Sequence, residues 1–223
     1  MKRTNIQITA ATGWLLAGVA FLGVDSVKAQ EVTWLRNVEV NQEVSDRGQS
    51  VSLLDMANSG LGSISNVKVD LSLSSLTQDN PMWLGQIYAS LTYGVASEEE
   101  RTAVLLNRPG VTDSNAFGSS LSSLNVTFDD SAVTNIFNVA SRTGTYQADG
   151  RLGVNPLGNQ VAYNSGDINA GLASLNGSGL LSQKFSLLVA DTQQGGRANL
   201  DRWGVKVTGT AASIGLLNLG SGG

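Results

Sequence analysis

The chain of 223 residues contains neither cysteine nor histidine. Without cysteine there is no disulfide and no thiol nucleophile. Without histidine there is no Ser-His-Asp triad, no Cys-His pair and no imidazole-ligated zinc or iron. Proline falls to 3 residues, aromatics to 6% and charged residues to 14%. The few basic residues are scattered singly, so the chain lacks the electrostatic footprint that nucleic acid or anionic lipid would require. No apolar run reaches the roughly 20 residues of a membrane-spanning helix. Other routes to peptide hydrolysis are also poorly served. Lys68 and Lys206 alternate onto polar strand faces and Lys184 opens a strand, so none is placed for a buried Ser-Lys dyad. No Asp-Thr-Gly motif offers a carboxylate dyad.

At the N-terminus, Lys2 and Arg3 precede an apolar stretch at 14–24, and Val27-Lys28-Ala29 places a small-residue cut ahead of Gln30. That is the grammar of a secretory signal peptide over residues 1–29, so a secreted (extracellular or periplasmic) protein is expected. Removing Lys2, Arg3, Lys28 and Asp25 from 14 basic and 18 acidic residues leaves 11 and 17, a formal charge of −6. An exported chain without disulfides must rely on its core or on bound metal.

Glycine is abundant, at 26 residues, and short alternating runs recur between turn signals. Val67, Val69, Leu71 and Leu73 point one way while Lys68, Asp70, Ser72 and Ser74 point the other, the period of a half-buried strand. Similar runs lie at 32–40, 87–91, 103–106, 124–128 and 136–139. Near the end, Phe185, Leu187 and Val189 form one alternating run and Trp203, Val205 and Val207 another. The polar segment 191–199 between them, with Gly195-Gly196, reads as an exposed connection. Residues 41–50 read as a loop, 51–56 as an apolar patch of open type, 155–166 as irregular and 172–175 as a helical turn. About eight antiparallel strands result, the number a jelly-roll β-sandwich requires.

Four aspartates, Asp129, Asp130, Asp149 and Asp191, sit at strand ends or turns. There a carboxylate either caps backbone N–H groups or, with partners, holds calcium. The run Glu98-Glu99-Glu100 reads as a solvated loop tip, because adjacent carboxylates repel. Trp34, Trp83, Tyr146 and Trp203 fall on apolar faces or beside tight turns and are assigned to packing, with Trp203 between the sheets. Tyr88 and Tyr93 are the rings left for a sugar to stack on.

Several ordered segments resemble one family. They are Trp83-Leu84-Gly85-Gln86-Ile87 leading into a strand, VLLNRPG (104–110), VTFDDSA (126–132), TYQADGRL (145–152), and LLVAD with ANLDRWGVKVTG (187–191, 198–209). Together they are similar to the P domain, or P/Homo B domain, of subtilisin-like proprotein convertases, a galactose-binding-domain-like jelly roll also found in stand-alone bacterial secreted proteins. The resemblance implies a P/Homo B-like domain (63–209), which the signals read on either side of it complete with a signal peptide (1–29), an N-terminal strand and loop (30–62) and a flexible tail (210–223). It makes Trp83, Gly85, Phe185 and Trp203 structural anchors. This chain departs from the pattern at Gln86, where the family has aspartate, and at Ala148, where it has proline. A neutral amide holds a cation less well than a carboxylate, which weakens a calcium role carried over at Gln86.

What the resemblance implies for function is a non-catalytic module, in a family tied to serine-type endopeptidases, that contacts a protein partner (a protease or a cell-surface component). A carbohydrate-binding module and a self-associating adhesive protein are the other readings, the former because jelly rolls carry sugar sites. No cofactor beyond calcium is implied.

Overall fold

In the computed structural model, residues 30–57, 59–79, 81–152, 168–178 and 183–212 are described. The expected signal peptide at 1–29, the stretch 155–166 read from the sequence as irregular and most of the expected tail lie outside the described residues. The strands are β1 (Glu31–Val44), β2 (Gln49–Asp55), β3 (Ser63–Ile64), β4 (Asn66–Ser75), β5 (Ile87–Tyr93) and β6 (Arg101–Asn107). They continue with β7 (Ser123–Phe128), β8 (Thr143–Tyr146), β9 (Gly177–Ser178), β10 (Lys184–Asp191) and β11 (Ala198–Thr210). One sheet runs β1-β11-β4-β7-β8 and the other β2-β10-β5-β6, while β3 and β9 pair apart. The chain thus steps between sheets, so that the first strand neighbours the last and the second neighbours the last but one. This is the double Greek key of a jelly roll. Its eight long strands pair antiparallel, and β8 is added in parallel to β7.

The period-two pattern explains the packing. Val67, Val69, Leu71 and Leu73 of β4 are buried, as are Leu124, Val126 and Phe128 of β7. They face Phe185, Leu187 and Val189 of β10 and Leu91 of β5 in a single core. Trp203 of β11 is 1% exposed. Its indole N–H donates to Ser52 Oγ of β2, in the opposite sheet, at 2.9 Å, so it spans the sandwich as expected. The run at 185–189 and the run at 203–207 belong to different sheets. The exposed connection expected over 191–199 is corrected to 192–197, because Asp191 ends β10, Ala198 and Asn199 open β11, and Asp191 and Ala198 are buried.

Two further readings need correction, and one left open, at 51–56, is resolved. Residues 41–44 are strand, because a bulge between Glu39 and Gln42, with Asn41 at φ 50°, turns Val44 into the core. Residues 51–55 form most of β2, an edge strand whose outward Val51 and Leu53 stay exposed, which is why its pattern looked uniformly apolar. Ile136–Asn138 is a 3-10 turn capped by Asn135, whose side chain accepts from the Phe137 N–H. The turn at Leu172–Leu175 is 3-10 and lies where expected. No helix among the described residues is long and apolar enough to cross a membrane.

Candidate functional site

The four aspartates do not converge. Asp129 forms an ion pair with Lys68 and accepts from the Ser131 N–H at 2.9 Å. The ammonium and those donors hold its carboxyl below the usual range. Asp130 accepts from the N–H groups of Leu172 and Ala173 at 3.3 and 2.7 Å, tying the β7 end to the 172–175 turn. Asp149, fully buried, receives two bonds from the Arg151 guanidinium, at 2.6 and 2.8 Å. Arg151 also donates to Asn107 O at 2.7 Å and lies 4.9 Å from the centroid of the Phe137 ring. In these three, protein donors occupy the carboxylates. Among the described residues no three acidic, histidine or cysteine side chains gather round one point.

Asp191 differs. It ends β10 with 0% exposure. Its Oδ1 accepts from the Gln193 N–H at 3.0 Å, while Oδ2 has no hydrogen-bond partner. Burial pushes its carboxyl up to about 7, with the Asp46 charge adding and the Gln193 N–H and Arg108 opposing. Around it four loops close one end of the sandwich. Thr192 donates through N–H and hydroxyl to Gln86 O at 2.9 and 2.8 Å. Asp46, in the β1–β2 turn, accepts from the Gly195 N–H at 3.3 Å. Gln86, 5% exposed, leaves its Oε1 without a partner.

Arg108 staples this end. The residue sits at φ 54°, a left-handed conformation that costs a non-glycine residue on the order of 1 kcal/mol or more. What holds it there is its own bonding, with the N–H on Ile87 O at 2.9 Å, Nε on Gly85 O at 3.3 Å and Nη2 on Ala116 O at 3.4 Å. Burial lowers the basicity of its guanidinium, and Asp191 partly restores it. The 3-10 turn Leu84–Gln86 is pinned in turn to the following loop, Leu84 N–H to Leu121 O and Gly85 N–H to Ser119 O, both at 2.9 Å. A side chain on Gly85 would collide with Phe117 O and reach 2.7 Å from Gly118 Cα and Ser119 N. Glycine is required there by close approach.

On this frame stand two exposed rings, Trp83 at 38% and Phe117 at 59%, packed edge to face at a centroid distance of 5.8 Å. The assignment of Trp83 to packing is therefore corrected. Gly85 beside it does anchor the fold, while the indole itself faces outward. Tyr88 and Tyr93, the expected sugar platforms, are also corrected. Tyr93 lies in the main core against Phe185, 5.2 Å between centroids. Tyr88 lies under 168–175 in a second cluster with Val104, Ala170 and Ala190. In β5 neither face is open, so alternation alone could not show which tyrosine is solvated. Tyr146 is buried with its hydroxyl bonded to Ser141 O, as expected, and Trp34 packs half-buried at the core rim.

Away from the loop end, a concavity of about 500 Å3 crosses the outer face of the five-stranded sheet. Gly204 breaks the row of side chains there, between Asn37 and Asp70. Thr127 donates to Asp70 and Arg202 to Asn125, so much of this polar face is bonded to itself. Phe117 and Asp46 carried no distinguishing period or spacing in the sequence, while Trp83 and Gln86 stood out only through the family resemblance. Only the approach of separate loops makes them neighbours.

Chemically, the loop end offers exposed rings and unpartnered oxygens, which can bind. A general base must touch the proton it removes, and Asp191 is sealed from solvent. No protein-family model matches this chain, and no curated protein matches it. Among solved structures, one titled Desmodium yellow mottle tymovirus is similar over 96% of this chain and 100% of its own, at 8% identity and a TM-score of 0.19. A likeness that weak carries no argument.

Proposed function

We propose that this is a secreted, non-catalytic binding module that docks a protein partner through its loop end, with Trp83 and Phe117 as the anchor. The observation that carries the reading is that pair of exposed rings on a frame fixed by Gly85 and Arg108. Aromatic side chains held rigid before binding lose little entropy on docking and concentrate binding energy. The ordered motifs from Trp83 to Gly209 support a module of the P/Homo B kind, whose partner would be a protease or a cell-surface component. The same rings favour a second reading, a carbohydrate ligand, since a sugar face stacks on an exposed indole.

One comparison tests both. Secreted wild type and a Trp83→Ala/Phe117→Ala variant, matched in melting temperature, are cross-linked in culture and applied to a glycan array. The proposal expects a defined protein adduct with wild type that drops at least tenfold in the variant, with no glycan signal. A glycan signal lost in the variant would transfer the site to the sugar reading. Equal adducts from both proteins would remove the aromatic pair from the function, and casein cleavage by pure protein would overturn the non-catalytic reading.

A further inference from the structure

We propose that the loop end holds one hard, oxygen-liganded divalent cation of the calcium class, with Asp191 and Gln86 as interior side-chain ligands and Asp46 as the ligand at the rim. The inference is independent of what docks on the aromatic pair. It starts from two acceptor oxygens without partners, Asp191 Oδ2 and Gln86 Oε1, on side chains 0% and 5% exposed. Buried polar atoms are almost always satisfied, and an orphan costs about 1–3 kcal/mol. Two orphans of the same kind, both acceptors, point to one missing positive group.

The two side chains, with Asp46, border one bend of the chain. Asp191 Oδ1 takes the Gln193 N–H and Asp46 Oδ1 takes the Gly195 N–H. The Gln86 amide nitrogen lies 3.6 Å from where a Cβ on Gly195 would stand. Ile87 pairs with Asp191 across the β5–β10 ladder, which keeps Gln86 beside it. Two register positions inward, opposite Val189, Ser50 Oγ is a third buried oxygen without a partner. Each carboxylate thus spends one oxygen on the bend and keeps the other.

Charge agrees with this assignment. The charged groups facing the site are Asp46, Asp191 and Arg108, together with Arg197, which acts on Asp46 and is ion-paired to Glu43, so that this last pair cancels. The Arg108 guanidinium donates to Gly85 O and Ala116 O, and it makes no ion pair with Asp191 within 4.0 Å. One formal negative charge is left over, next to neutral oxygens. An all-oxygen donor set selects hard cations, and without histidine or cysteine zinc and copper are disfavoured. Irregular loops carrying mixed carboxylate and amide oxygens suit calcium better than magnesium, which demands a near-ideal octahedron. Departure from the family pattern at Gln86 does not remove the site, because an amide oxygen is an ordinary calcium ligand.

The test uses the mature full chain, stripped with EGTA and titrated calorimetrically with calcium chloride, with melting curves in EGTA and in 10 mM calcium. Asp46→Ala removes an exposed carboxylate, Asp191→Asn removes the interior charge, and Asp130→Ala serves as control. One site per chain is expected in wild type and in the control, with a higher melting temperature in calcium. Asp46→Ala should weaken affinity at least tenfold, and Asp191→Asn should abolish both heat and shift. Identical wild-type melts in EGTA and calcium with no heat of binding would overturn the proposal. So would a calcium response that survives in Asp191→Asn and Asp46→Ala.

Discussion

Two aspartates among the described residues are fully buried and each lies near an arginine, yet they are arranged differently. Asp149 meets Arg151 face to face, two bonds from one guanidinium, with Arg151 also bonded to Asn107 O. Asp191 has Arg108 nearby, but that guanidinium is spent on the carbonyls of Gly85 and Ala116. The first arrangement closes a fold. It fastens the segment 148–152 to the β6 edge, where Asp149 and Gly150 N–H groups reach Leu105 O and Val104 O. The second leaves a charge with half its bonding capacity unused, at the end where the chain also exposes two aromatic rings. A paired buried charge is explained by structure alone, whereas an unpaired one needs a further partner or a function.

The strongest way to break this contrast is to unpair the paired acid. Arg151→Ala strands Asp149 in the interior, and removing one partner of a buried ion pair costs about 3–5 kcal/mol. Chemical denaturation should show that loss. A variant within 1 kcal/mol of wild type would mean that the bidentate pair closes nothing.

A smaller effect is expected at the other end. Gly85→Ala forces a Cβ into the Phe117–Ser119 backbone. We expect a loss of about 1–3 kcal/mol, in line with overpacked sites. The loop carrying Phe117 should shift with it, so the Trp83 emission maximum should move toward the red. Unchanged stability and emission would show that the frame under the aromatic pair is not rigid.

The sequence made the sandwich legible and left the site mostly hidden. Alternation placed β4, β7, β10 and β11 and put Trp203 between the sheets, because a half-buried strand must repeat every two residues. It could not decide β5, where Tyr88 and Tyr93 are buried on opposite faces, one under the core and one under the 168–175 segment. The Ile136–Asn138 turn mimicked a short strand because both need a few apolar residues in a row. Trp83 read as a core residue because tryptophan beside a tight turn usually is one, and only the clash surface around Gly85 shows which of the two is buried. Asp191 stood among the candidates, but nothing in the sequence set it apart from Asp129, Asp130 and Asp149. What distinguishes them is which donors arrive from elsewhere in the chain, namely Lys68 from β4, the 172–175 turn and Arg151. For Asp191 one backbone donor arrives, the Gln193 N–H, and its Oδ2 is left without a partner, as is the Oε1 of Gln86.

The most direct test makes one substitution twice, in EGTA, and follows stability from pH 5 to pH 8. Burial raises the Asp149 carboxyl too, against the opposing Arg151 bonds, yet Asp149→Asn breaks a charge-assisted bidentate pair and should destabilise by about 2–4 kcal/mol at pH 8. Asp191 has its folded value raised to about 7 from an ordinary 3.8. The folded state therefore binds its proton more tightly, so its contribution favours folding at low pH and is lost as pH rises through about 7. At pH 8 the wild type carries the full cost of that buried charge, up to about 4 kcal/mol for some three pH units. Asp191→Asn should then melt above wild type at pH 8 and converge with it toward pH 5. Opposite signs for the two substitutions at pH 8 are the result this account predicts. Loss of stability in both, with no pH dependence at position 191, would contradict it.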